Sequence, residues 1–170
     1  MVRGLKSTSG IIAVSSSIQE TAPNTYTQLA VDLNLDPLNN EVFVVIAIDL
    51  NPQFPDAIAA TDTATQAALT TTSRATLGFI QDFNVLASSS TAIRAAGYID
   101  GGIRFSQQTL ETPPANLDYI GIVTTNDVFI GIQGSNNISL KTVGMRMWVY
   151  RARAEEQINA ALVQSEVLSA

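Results

Sequence analysis

From Val42 to Leu50, the residues Val42, Val44, Ile46, Ile48 and Leu50 alternate with Phe43, Val45, Ala47 and Asp49, so the run is apolar on both faces for most of its length. Successive side chains of a strand point to opposite sides of a sheet, and a strand that is apolar on both sides must be covered on both. The run therefore predicts a central strand in a layered β structure. A chain of 170 residues with 46% hydrophobic content is long enough to enclose such a strand in one domain without disulfide or metal staples.

The rest of the chain repeats the period-2 theme in shorter pieces. Leu29, Val31 and Leu33 alternate with Gln28, Ala30, Asp32 and Asn34, and Asp36-Pro37 and Asn39-Asn40 then signal a turn, so this segment is expected to form a hairpin with the central strand. Residues 51–72 open with Pro52 and Pro55 and continue rich in Ala and Thr, which reads as a long loop with a helical turn. Ala75, Leu77 and Phe79 alternate with Thr76, Gly78 and Ile80 and suggest a strand. Ser88-Ser89-Ser90 reads as a loop before a strand over 92–99. Asp100-Gly101-Gly102 is a turn signal, followed by Ile103-Arg104-Phe105 and a Thr112-Pro113-Pro114 linker.

In the last third, Ile120–Val123 and Val128–Ile132 flank Thr124-Thr125-Asn126-Asp127, the pattern of a β-hairpin. Gly134-Ser135-Asn136-Asn137 marks the next turn, and 138–151 reads as a long strand with Val143, Met145, Met147 and Val149 on one face and Arg146, Trp148 and Tyr150 on the other. After Arg151 the period changes to about 3.6. Ile158, Ala161, Leu162, Ser165 and Leu168 then share one stripe, and Glu155 and Glu156 suit the positive end of a helix dipole. The organisation expected is a β-sandwich domain over 1–153 and an amphipathic C-terminal helix over 154–170.

The chain contains no His and no Cys. That removes the proton shuttle, the thiol nucleophile and the soft metal ligands on which the commonest hydrolase and transition-metal sites depend. Two carboxylates could still act as an acid pair, but the Asp residues fall mainly at strand ends and turns, where they serve local hydrogen bonds. Asp100-Gly101-Gly102 and Asn126-Asp127 could offer oxygen ligands to calcium, yet they too read first as turn residues and follow no EF-hand spacing. No glycine pattern of a phosphate-binding loop occurs. The expectation is a protein that is not an enzyme, with no catalytic residues, cofactor or metal.

With 9 basic and 15 acidic residues and a formal net charge of −6, the chain is poorly suited to neutralise phosphates, so no direct nucleic-acid partner is expected. Ile11-Ile12-Ala13-Val14 is too short for a signal-peptide core, and Val42–Ile48 is too short for a transmembrane segment. What the composition does supply is 17 Thr, 14 Ser, 11 Asn and 10 Gln against 24 charged residues, a surface made for hydrogen-bonded protein contacts. Arg146, Trp148, Tyr150, Arg151 and Arg153 form an interface-like cluster in this acidic chain, since Arg, Trp and Tyr dominate protein contacts. With Ile158 and Leu162 of the helix they are the candidate subunit-contact residues. The plainer reading makes the five a strand face with one core Trp and solvated arginines.

About eight short strands, the early long loop and the uncharged polar surface resemble, in overall plan, the single jelly-roll capsid proteins of icosahedral viruses. The resemblance implies a jelly-roll-like antiparallel β-sandwich, self-assembly into a virus capsid shell, location in the virion, and partners that are copies of the chain itself and other capsid proteins. Many such proteins carry a basic N-terminal arm for the genome. Here only Arg3 and Lys6 occur, which makes the chain more similar to those enclosing a membrane or a shell filled by a separate motor. A carbohydrate-binding or adhesion module is the alternative function for the same sandwich.

Overall fold

The computed structural model describes residues 4–95, 105–109 and 117–168. These residues form strands β1 (Leu5–Ser7), β2 (Ile12–Gln19), β3 (Thr27–Asp32), β4 (Glu41–Pro52), β5 (Thr63–Thr70), β6 (Val85–Arg94), β7 (Phe105–Thr109), β8 (Gly121–Val123), β9 (Asp127–Ser135) and β10 (Thr142–Ala154), followed by helix α1 (Glu156–Leu168). One sheet runs β1–β10–β4–β8, with β2 also on β10, and the other runs β3–β9–β5–β6–β7; every pairing is antiparallel. Setting aside β1 and β7, the orders β2–β10–β4–β8 and β3–β9–β5–β6 are those of a jelly roll. The all-β, jelly-roll-like sandwich with a C-terminal helix expected from the sequence is the fold of the chain.

The central strand behaves as its two apolar faces require, with one twist. In β4, Ala47 pairs with Trp148 but Val45 pairs with Val149, so Ile46 is left over as a β-bulge. The bulge reverses the alternation. Phe43, Val45 and Ile48 enter the core between the sheets, whereas Val42 and Val44 turn outward into a second cluster with Leu5, Ala152 and Ala154, against which Tyr119, Ile122, Tyr150 and Ile158 pack. The main core is closed by Val143, Met145, Met147 and Val149 of β10 facing Leu69, Ile130 and Ile132.

Several local expectations are overturned. The segment 28–34 does not form a hairpin with β4, because β3 pairs with β9 in the opposite sheet. Likewise β8 and β9 are not a hairpin: β8 joins β4 and β9 joins β3 and β5, so the turn at 124–126 crosses between sheets. Alternation reveals which face is buried but not which strand lies alongside. The supposed loop over 51–72 contains β5, at the centre of its sheet, with Thr63, Thr65, Ala67 and Leu69 turned inward and buried. Its interior positions are filled by small and β-branched residues, so little hydrophobic contrast marks it. Ser88–Ser90 lie inside β6, opposite Ala68, Ala67 and Gln66.

The strand expected at 75–80 is instead a buttressed loop. Asp82 accepts the Phe79 N–H at 3.1 Å, donates its own N–H to the Phe79 carbonyl at 2.9 Å and pairs with Arg74 at 3.0 Å. Of the long strand expected over 138–151, β10 takes only 142 onward and runs on to Ala154. The turn at Asp100-Gly101-Gly102 and the linker at Thr112-Pro113-Pro114 lie outside the described residues. Among the described residues, four of the five non-glycine positions with positive φ are asparagines: Asn24, Asn34, Asn40 and Asn136. Asn tolerates the left-handed region better than most residues, which explains part of the chain's Asn content.

Candidate interaction surfaces

The structure divides the five-residue cluster between the two faces of β10. Arg146, Trp148 and Tyr150 lie on the outer face of the sheet. By register Trp148 stands between Ala13 of β2 and Ala47 of β4, and these small neighbours leave the half-buried indole as the bulk of that patch. Arg146 is exposed between Ser15 and Asp49, its Nε donating to Ser15 Oγ at 3.2 Å. Arg151 points the other way, at the edge of the core. Its guanidinium lies 5.1 Å from the centre of the Phe43 ring and donates to Glu41 at 2.9 Å, so its charge is already engaged within the chain. Arg153 is exposed, with Lys6 and Glu41 as its cross-strand neighbours.

Ile158 and Leu162 differ in the same way. Ile158 packs on the chain's own outer cluster, so closely that a Cβ at Gly4, where φ is +78°, would collide with Ile158 Cδ1. The Glu155 N–H donates to the Gly4 carbonyl at 3.1 Å, and Asn159 Nδ2 donates to Asn40 Oδ1 at 2.9 Å, which fixes the first turn of α1 to the sandwich. Leu162 is half-buried, while Ala161 and Val163 on the later turns are exposed.

A polar network that the sequence reading did not identify ties together the loops at one end of the sandwich. Glu20, 2% exposed, accepts the backbone N–H groups of Gly134 at 2.6 Å and Lys141 at 3.0 Å. Lys141, also 2% exposed, places Nζ 2.5 Å from Asp56 Oδ1 and 3.0 Å from Ser139 Oγ. Asp56 further accepts the N–H groups of Ile138 and Ser139 at 2.9 and 2.8 Å. The Lys141 ammonium, then these amides and the Ser139 hydroxyl, hold the Asp56 carboxyl well below the usual carboxylate range. A carboxylate so stabilised as an anion, tied by five hydrogen-bond contacts to the loop that faces it, is a clamp and not a reactive pair. Asn137 completes the network: Oδ1 accepts the Asp56 N–H, Nδ2 donates to the Ala64 carbonyl, and its own N–H donates to Asn24 Oδ1 at 2.7 Å. The Asn136-Asn137 turn signal was the one visible clue, since the partners lie more than 70 positions away in sequence.

The clamp displays apolar side chains. Phe54 and Ile138, on the loops it joins, are 54% and 77% exposed, and Leu140 is exposed as well. In the loop 71–84, Phe79, Ile80 and Phe83 are exposed as well. An open cleft of about 320 Å³ separates Phe79 and Ile80 from Gln66, Ser88 and Ser90 on the outer face of the second sheet. A second cleft, about 440 Å³, lies between Lys6, Arg153 and the start of α1. Among the described residues no group of three carboxylates converges on a metal-sized site, and no helix is long and apolar enough to cross a membrane. Asn126 Oδ1 accepts the Leu35 N–H at 2.8 Å and its carbonyl accepts that of Leu33, which gives this loop a structural task.

The chain matches no known family model and no curated protein sequence.

Proposed function

We propose that this chain is a structural protein that self-assembles, with copies of itself and with other shell proteins, into a virus capsid. The observation that supports the reading most directly is the strand order, β2–β10–β4–β8 against β3–β9–β5–β6, which is that of the jelly rolls used in capsids. The loops add to it, because Phe54, Ile138, Phe79 and Phe83 expose large apolar side chains that an isolated subunit has no use for. Light scattering and electron microscopy over a concentration series provide the test. Particles many subunits in size are expected, whereas a monomer at every concentration and salt level overturns the reading.

The cleft beside Phe79 favours a second reading, a module for neutral glycans, because an aromatic ring next to amide and hydroxyl groups is the chemistry of a sugar platform. Glycan binding lost in Phe79→Ala, from a protein that stays monomeric, would select it.

Helix α1 has an expected role in the shell reading. Removing residues 155–170 takes away the cover that half-buried Ile158 gives to the outer cluster, a loss of about 1 kcal/mol, and leaves the residues of both sheets in place. Circular dichroism should show a folded sandwich, while light scattering should show assembly shifted to higher concentration. Collapse of the β signal would place the helix in the domain core instead.

A further inference from the structure

We propose that β2 is a dimerisation edge, pairing antiparallel with β2 of a second copy about a twofold axis at Ser15. The direction of its backbone groups follows from one hydrogen bond. Glu20 donates its N–H to the Lys141 carbonyl at 2.9 Å, and the pairs Gln19↔Thr142 through Ile12↔Val149 continue that ladder without a shift. Backbone groups alternate sides along an antiparallel strand. Ile12, Val14, Ser16 and Ile18 therefore bond β10, and Ala13, Ser15, Ser17 and Gln19 turn their N–H and C=O groups to the other edge, which pairs with no strand among the described residues.

Nothing on this edge discourages pairing. Natural sheets protect edges with charges, prolines, bulges or brevity. From Ser7 to Gln19 there is no charge and no proline, β2 has eight residues in unbroken register, and Ile12 is 40% exposed. By contrast β1 and β8 have three residues each, and β3 ends in a charge at Asp32.

A second copy is the occupant because the strand is complementary to itself. Centring on Ser15 sets Ala13 opposite Ser17 and Ser15 opposite itself as hydrogen-bonded pairs, about six backbone hydrogen bonds in all. On the core-side face the same register sets Ile12 against Ile18 twice and Val14 against Ser16 twice, so the exposed isoleucine gains an apolar partner. The contact is isologous. The paired strands carry no charge of their own, which matters for a chain of net charge −6 whose copies repel one another, and Arg146 of β10, which donates to Ser15 Oγ, sets a cation beside the axis. This inference rests on the self-assembly reading and specifies one contact within it.

Two substitutions test it. Ser15→Pro removes a free-edge donor while sparing every backbone bond to β10, because proline is accommodated where its missing N–H faces solvent; of the bonds to β10 it gives up only the exposed one from Arg146 Nε to Ser15 Oγ. Ser16→Pro removes a donor to β10 and serves as the comparison. Sedimentation should show the dimer lost in Ser15→Pro with its melting temperature close to wild type, and Ser16→Pro should melt markedly lower. In a chain without native cysteine, Ser15→Cys should give a disulfide dimer under mild oxidation, since opposed Cα atoms would lie about 5.5 Å apart. Thr21→Cys, exposed but off the register, should give none. If Ser15→Pro associates like wild type, or Ser15→Cys stays unlinked in a protein that still assembles, the edge is not the contact and self-assembly stands. A wild-type chain that is monomeric throughout overturns both.

Discussion

Replacing Asp56 by alanine is expected to destabilise the fold by about 3 kcal/mol, at the low end for breaking a buried ion pair because Asp56 keeps some solvent access. The variant strands the Lys141 ammonium, 2% exposed, and frees the N–H groups of Ile138 and Ser139. For a domain of this size that corresponds to a fall of roughly 6–12 °C in melting temperature. Lys141→Met should cost less, about 1 kcal/mol, because it exchanges a buried charge for an apolar chain and leaves Asp56 its backbone donors. The pH dependence has a definite sign. The folded-state pKa of Asp56 lies below its ordinary value of 3.8, so its contribution is complete above that value and is lost as pH falls through it toward the folded pKa. Denaturant titrations of wild type and Asp56→Ala from pH 7 to below pH 3 should show the gap constant above about pH 4 and narrowing toward the acid end. A gap that stays constant across the range would exclude the carboxylate as its source.

The second large effect is expected at Ile130. This side chain is fully buried in β9 between Leu29 of β3 and Leu69 of β5, facing the β10 residues across the core. Ile130→Ala should cost about 3–4 kcal/mol, since the lost contacts and the remaining cavity add. Ile130→Val, which removes one methylene, should cost about 1 kcal/mol. Thermal and denaturant unfolding measure both. Equal and small losses would mean that the sheets close over the gap and that the two layers are less rigidly spaced than the packing indicates.

What the sequence disclosed follows the size of its side chains. Large apolar residues alternate in β3, β4, β9 and β10, and each of these strands was readable. Thr63, Thr65 and Ala67 of β5 and Ser88–Ser90 of β6 occupy equally internal strands, but small residues carry too little contrast to mark a face. Pairing was illegible for a different reason: Val128 and Ile122 are close in sequence and fit a hairpin, yet the chain sends them to opposite sheets because each completes a buried layer there. Ile46 could not be recognised as a bulge, since nothing local distinguishes it from its neighbours. Of the candidate contact residues, alternation correctly grouped Arg146, Trp148 and Tyr150; it could not foresee that Arg151 is held by Phe43 and Glu41, or that Ile158 rests against Gly4. The Glu20, Asp56 and Lys141 clamp was hidden because it joins three turns far apart in the chain.

Strand β10 carries β1 and β2 along one side and β4 along the other, thirteen residues serving three partners that are all made before it. During synthesis those earlier strands have no seat until the last third of the chain emerges, so their sheet closes late and through contacts of long sequence separation, the slow regime of folding. Throughout that interval the uncharged Ile12–Gln19 segment is open to the same segment on a neighbouring nascent chain. The moment of β10 docking thus ends the interval in which an unfinished chain can tangle with its neighbour.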